Sequence, residues 1–399
     1  MHRPGFPRAD GVLGALCTTI MAVLVAACNP GAIGNGPRPT IAHGPVPGET
    51  LGSGSVRVGL LLPLSATGNA GQIALAMKNA ASLALREFKT TDIEILVKDD
   101  TGTAEGARAA AAQAISDGAK IILGPLFAQS VSAAASVAKP AGIPMVAFSS
   151  DSTTAQKGVY LLSFLPQGDV SRVVRYAAGQ GKRSFAALLP SNGYGTVVEA
   201  TLQKVAADAG GRVFASERYD LDRVSMQAKA TAVAGAVKGG SIDAIVMPDA
   251  GDAAPFLSQV LAAGGVKPAK VKLLGSGQWD DARILKESNL SGAWFPGPDR
   301  AGFDAFAQRY QAAFGSPPPR PASLAYDATS LAAGLAARFG KTAFTEKVLT
   351  NPSGFIGVDG AFRFLSNGLS ERGLAIYEVN HGAAQVIDPA PKSFAKPAF

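Results

Sequence analysis

Thiols and imidazoles are scarce in this sequence. Its 399 residues hold 2 Cys and 3 His, and aromatic residues make up only 7%. Cys17 and Cys28 both fall near the start, as do His2 and His43. His381 is then the one imidazole left for everything after residue 55. A disulfide scaffold or a zinc ribbon needs more thiols or imidazoles than this. A His-based triad, or a metal site of several His, would have to be built around His381 alone. Charge is sparse too, at 17%, while 47% of residues are hydrophobic, a composition that folds rather than one that stays disordered. The length suits two domains of ordinary size.

Catalytic signatures are also missing. No Gly-x-Ser-x-Gly elbow occurs. The run from Gly334 to Gly340-Lys341-Thr342 misses the phosphate-loop spacing by one residue and follows a helix rather than a strand. Asp99-Asp100 and Asp280-Asp281 could be read as acid/base or metal pairs. Adjacent acids at strand ends more often cap the next helix or face solvent. The expectation is a binding protein without catalytic residues, metal or cofactor. The formal net charge is +7, but Lys and Arg are dispersed with no basic run, so no nucleic-acid partner is expected. A mildly basic surface leaves room for attraction to anionic lipid or cell-wall polymer.

The N-terminus does carry a signal. His2, Arg3 and Arg8 precede an apolar stretch, Val12 to Ala27, that ends in small residues before Cys28. This is the pattern of an export signal over residues 1–27. At roughly 16 residues the stretch is shorter than the ~20 that span a bilayer. The Val25-Ala-Ala-Cys28 ending resembles the lipobox of bacterial lipoproteins. That resemblance implies cleavage before Cys28, lipidation of Cys28 and a periplasmic protein anchored to a membrane. Asn29 follows the Cys, which slightly favours the outer membrane. Residues 28–54 are rich in Gly and Pro and contain no aromatic, so they read as a flexible tether.

From Val56 onward, apolar runs alternate with helical periods. Strands are expected at 56–63, 93–98, 120–123 and 144–148, with helices at 71–88, 104–117 and 130–139. A second series has helices at 169–180, 194–209, 226–237 and 253–263, with strands at 184–189, 212–218, 244–247 and 271–274. Near-continuous apolar strands separated by helices argue for parallel βαβ units with helices on both faces. Further helices are expected at 304–314 and 325–339, packing back on the first half. Short strands are expected at 360–364 and 374–379.

Several motifs in this order resemble a family. They are Val58-Gly-Leu-Leu-Leu-Pro-Leu-Ser65 with Gly68 and Lys78-Asn-Ala80, Lys98-Asp-Asp-Thr101, and Ile121-Ile-Leu-Gly124-Pro125. Gly142-Ile-Pro-Met-Val146 leading to Ser149-Ser150, and Pro190-Ser-Asn-Gly-Tyr194-Gly195, complete the set. Together they resemble the type I periplasmic binding proteins, nearest the leucine/isoleucine/valine-binding group, over roughly residues 56–388. Some forms also resemble the penicillin-binding protein activator lipoproteins. The resemblance implies an α/β fold of two doubly wound parallel-sheet lobes joined by a three-segment hinge. The first lobe would hold 55–165 and 298–352, the second 166–297 and 353–388, with 389–399 as a tail.

Doubly wound sheets bind ligands beyond the carboxyl ends of their strands. The ligand-binding candidates there are Ser65, Asn69, Leu126, Phe127, Gln129, Ser149, Ser150, Asp151, Tyr194, Asp249, Gln278 and Trp279. Amino-acid-binding members carry a hydroxyl just after the third strand's Gly, where this chain reads Gly124-Pro-Leu-Phe-Ala128. They place an acid near Gly277 or Gln278, neither of which is acidic. Two readings follow. In one, an exported lipoprotein captures a small polar, amino-acid-like ligand and delivers it to an inner-membrane ABC-type permease. In the other, the same fold regulates a peptidoglycan synthase.

Overall fold

A computed structural model describes residues 48–88, 92–240 and 242–394. The segment expected to be an export signal, Cys28 and the expected tether up to residue 47 lie outside the described residues.

Strand Val56–Leu62 shows how the first lobe forms. Val58, Leu60 and Leu62 face one core while Leu61 faces the other, so the strand is buried on both sides. Such a strand has no polar face, which is why it reads as an unbroken apolar run. It pairs in parallel with Ile93–Asp99 on one side and Ile121–Leu123 on the other. The sheet order is Thr50–Leu51, Ile93–Asp99, Val56–Leu62, Ile121–Leu123, Met145–Ala147, Val159–Leu161.

Thr50–Leu51 is an antiparallel edge strand. The Glu49 carbonyl accepts from the Val97 N–H, and the Glu49 carboxylate pairs with Lys78. The expected tether is therefore wrong for residues 48–54: backbone pairing to a sheet edge ties them to the fold despite their Gly-rich composition.

The helices bury small residues. Helix Ala104–Ser116 starts at Thr103, whose hydroxyl accepts from the Gly106 N–H, and buries Ala107, Ala110, Ala111 and Ala114 at helical spacing. Beneath it, a Cβ on Gly59 would stand 3.0 Å from the Ala114 methyl, so glycine there lets helix and sheet approach closely. Helix Asn69–Glu87 packs on the opposite face with Ala322–Phe339.

The second lobe repeats the plan. In Ser184–Pro190, Phe185, Ala187 and Leu189 face one core and Ala186 and Leu188 the other. The order is Ala383–Asp388, Ala375–Asn380, Trp294–Gly297, Lys272–Leu274, Ala244–Val246, Ser184–Pro190, Arg212–Tyr219. The two strands at the C-terminal end are antiparallel and the rest are parallel.

The chain passes between the sheets three times, after Leu161, after Gly297 and before Ala375. Helix Arg300–Phe314 returns to the first lobe, where Phe306 and Tyr310 pack on Ala76, Ala80 and Leu83. The small sheet of Phe355–Gly357, Gly360–Phe364 and Ser370–Arg372 also stays there. Phe362 and Phe364, side by side on one strand face, enter the first lobe's core, and Phe364 meets Tyr160 at 5.3 Å. Assigning 353–388 wholly to the second lobe is thus corrected: residues up to Arg372 belong with the first. Among the described residues no helix is long and apolar enough to cross a membrane.

Candidate functional site

Each sheet has one place where its winding reverses. In the first lobe it lies between Val56–Leu62 and Ile121–Leu123; in the second it lies between Ser184–Pro190 and Ala244–Val246. Helices leave the sheet in opposite directions there, which opens a crevice at the carboxyl ends of the strands. Ser65, Leu126 and Phe127 follow the first pair. Tyr194 and Asp249 follow the second.

On the first lobe, Ser65 is exposed and its N–H donates to Asp99 Oδ1 at 3.3 Å. Asn69 is exposed and opens helix Asn69–Glu87, whose N-cap Gly68 offers no side chain to its free N–H groups. Helix Ala128–Ala138 is uncapped as well, beginning after Phe127. Leu126 and Phe127 are half-buried. A Cβ on Gly102 would lie 3.2 Å from the Phe127 ring, and Gln129 Nε2 donates to the Gly102 carbonyl at 2.9 Å.

Ser149 is 4% exposed, and its Oγ accepts from the Asp151 N–H at 3.1 Å. Asp151 in turn accepts from the Thr153 N–H and hydroxyl. Ser150 is exposed. Ser149 and Asp151 thus brace their loop, and Ser150 is the hydroxyl left exposed there.

The second lobe brings its candidates into one bonded group. The Tyr194 hydroxyl donates to the Pro248 carbonyl at 3.3 Å and accepts from Gln278 Nε2 at 3.2 Å. Burial pushes the Tyr194 phenol up to about 12, so it stays neutral and can both donate and accept. Tyr219 donates to Asp249 Oδ2 at 2.7 Å. Burial raises the Asp249 carboxyl above its usual range, and the Tyr219 bond opposes the rise.

Trp279 is fully buried in the second lobe's core, with Nε1 donating to the Asp249 carbonyl at 2.8 Å. Its expected place as a ligand-binding surface is corrected: the ring has no exposed face, and it anchors the turn that presents Gln278.

The paired acids are structural. Asp99 accepts from Ser65 and Thr101 N–H groups, and Asp100 from Gly102. Asp281 caps the short helix Ala282–Leu285, while Asp280 pairs with Arg300 across the second crossing. Among the described residues no group of His, Cys, Asp and Glu is placed to hold a metal.

Sequence reasoning missed three polar residues around this site. Tyr219 lies one residue past the expected strand 212–218 and closes the observed edge strand Arg212–Tyr219. Asp169 binds the Gly277 N–H through Oδ2 at 2.8 Å, and Arg372 bonds the Ser163 carbonyl at 3.1 Å. Asp169 and Gly277 are 108 positions apart, so no local signal could join them.

Two wound sheets, three crossings and a polar crevice on each lobe define a two-lobed binding protein of the type I periplasmic kind. The chain belongs to the periplasmic binding protein family, which it matches over residues 55–384. No curated protein matches it. Solved structures do. A chain of Rhodospirillum rubrum assigned to a branched-chain amino acid ABC transporter is 20% identical, with TM-score 0.70 over 83% of this chain and 99% of that one. A solute-binding protein of Rhodopseudomonas palustris in complex with 3,4-dihydroxybenzoic acid is 19% identical, with TM-score 0.58 over 86% and 98%. The branched-chain amino acid substrate-binding protein of Streptococcus pneumoniae, in complex with isoleucine, is 19% identical, with TM-score 0.56 over 84% and 99%.

Proposed function

We propose that this protein is the substrate-binding component of an ABC-type importer. In this reading it captures a small carboxylate, either amino-acid-like or an aromatic acid, between its lobes. The observation that carries this reading is the presence of polar loops and uncapped helix N-termini at the reversal point of the first sheet, and of a hydroxyl and an amide bonded together at that of the second. Free N–H groups at helix starts suit a carboxylate. The neutral Tyr194 phenol and the Gln278 amide suit a ligand's polar substituents. The acid that would grip an amino group is absent at Gly277 and Gln278, which favours the aromatic-acid side of that range.

Export, lipidation at Cys28, a tether over 28–47 and an inner-membrane permease partner complete the reading. The test is a melting-temperature screen of purified protein with L-leucine, L-isoleucine, benzoate and 3,4-dihydroxybenzoate. A probe at about 100 times its Kd stabilises a folded protein by about 2.7 kcal/mol, a clear rise in Tm. Tyr194→Phe is expected to weaken the responding probe by roughly two- to tenfold, the loss of one hydrogen bond. No response to any probe, together with co-purification of a peptidoglycan synthase, would overturn this reading.

A further inference from the structure

Asp169 lies in the first turn of helix Pro166–Gly179, immediately after the first crossing. Its carboxylate does not cap that helix. Oδ2 instead accepts the Gly277 N–H at 2.8 Å. Gly277 opens the turn Gly277–Trp279, which two further bonds fix. Ser276 Oγ donates to the Pro248 carbonyl at 2.6 Å, and Gln278 Nε2 donates to Tyr194 Oη at 3.2 Å. A Cβ on Gly277 would stand 3.2 Å from Asp169 Oδ2, so the two segments are in close contact.

Asp169 also feels a charge from the other lobe, that of Arg372. Arg372 ends the small sheet packed on the first lobe, just before the third crossing. Its Nε donates to the Ser163 carbonyl, and its guanidinium lies 4.7 Å from the Phe164 ring centre and 5.7 Å from that of Phe362. Nη1 and Nη2 are buried and have no hydrogen-bond partner. The charges acting on this guanidinium are Asp359 and Asp327 of the first lobe, Arg320 in opposition, and Asp169 of the second. Buried donors left without acceptors are costly, so the fork has capacity for another carboxylate contact.

We propose that Asp169 is a positioning residue that ties the ligand-facing turn Gly277–Trp279 to the pivot between the lobes, with Arg372 as its counter-charge from the opposite lobe. The position of Gln278 then follows the opening angle. A hinge movement that brings Asp169 onto Nη1 and Nη2 pulls Gly277 with it. The inference rests on the reading that ligand binds between the lobes.

The groups facing Asp169 are Arg372 and Tyr194. Burial pushes its carboxyl up to about 7, while Gly277 and Arg372 act the other way. Ionisation strengthens both contacts, so the tie tightens as pH rises through about 7.

The experiment compares full-length wild type with Asp169→Asn, which keeps the side chain's shape, and with Arg372→Lys and Arg372→Gln. Two readouts are taken from pH 6 to 8. One is hydrogen exchange in a peptide spanning 276–281 without ligand. The other is affinity for L-isoleucine and 3,4-dihydroxybenzoate. Asp169→Asn is expected to lower protection, remove the pH dependence that remains after correction for intrinsic base-catalysed exchange, and weaken the binding probe by about tenfold. Arg372→Gln is expected to do the same in part, and Arg372→Lys to restore it. Unchanged exchange in Asp169→Asn would sink the tie. Faster exchange with unchanged probe affinity would sink the positioning role. A wild type that binds neither probe, yet shows the exchange response, would sink the ligand reading and leave the tie standing.

Discussion

Asp100 is fully buried behind the first crevice, and only half of its carboxylate is used. Oδ1 accepts from the Gly102 N–H at 2.8 Å, while Oδ2 has no partner. Burial pushes its carboxyl up to about 7, Gly102 opposes the rise, and the Asp99 charge adds to it. Burial likewise lifts Asp327 to about 7. A carboxyl with a folded value above its ordinary 3.8 holds its proton longer when folded. Its contribution to stability is complete below that ordinary value and is lost as pH rises through about 7. The protein is therefore expected to melt at a lower temperature at pH 8 than at pH 5. Asp100→Asn is expected to flatten that slope and raise Tm at pH 8 relative to wild type. Melting curves across this range check both, and an unchanged slope in the variant would refute the assignment. The pair Asp99-Asp100 was legible as structural from sequence; the buried, half-satisfied state of Asp100 was not, because it depends on what packs above the strand end.

Among the elements, the strand-end turns and the small sheet carry the tightest constraints. A Cβ on Gly275 would fall 2.1 Å from the Trp279 ring. Gly275→Ala is expected to cost about 1–3 kcal/mol by overpacking. It also displaces the turn that holds Gln278, so probe affinity falls with stability. Denaturant melts and titration of the responding probe measure both. At the other end of the chain, Phe362 is 1% exposed in the first lobe's core. Phe362→Ala is expected to cost about 3–5 kcal/mol. Protease mapping should find new cuts in the first lobe; cuts confined to the second would contradict the packing described. Helix Ala253–Ala263 is found with the bounds its sequence predicts. It is framed by Asp252 and Gly264, and its apolar period is long enough to read. Val159–Leu161 and Trp294–Gly297 went unread because they stand outside the strand–helix alternation that marks the other short strands, and their strand character comes from neighbours in the sheet.

For the whole molecule, labour is divided in the proposed reading between an N-terminal address and a folded body. The reading of Cys28 as a lipid anchor predicts that Cys28→Ser moves the protein from the membrane fraction to the soluble fraction of cells. Retention on membranes would refute it. The body's three crossings predict motion about one pivot, where Arg372 bonds the Ser163 carbonyl and its charge acts on Asp169.

The sequence alone determined the alternation of buried strands and helices, hence two wound lobes, because a strand covered on both faces must be apolar throughout. It also determined which loops follow the strands, and so located Ser65, Phe127, Tyr194 and Asp249. Tertiary structure alone decided which of those side chains face outward. Trp279 and Tyr194 are both aromatic residues in strand-end loops, yet one is sealed in the core and the other is half-buried beside Gln278. It also decided that residues 355–372 return to the first lobe, and that Asp169 meets Gly277. These depend on contacts between segments far apart in the chain. The spacing of residues within one element carries no record of such contacts.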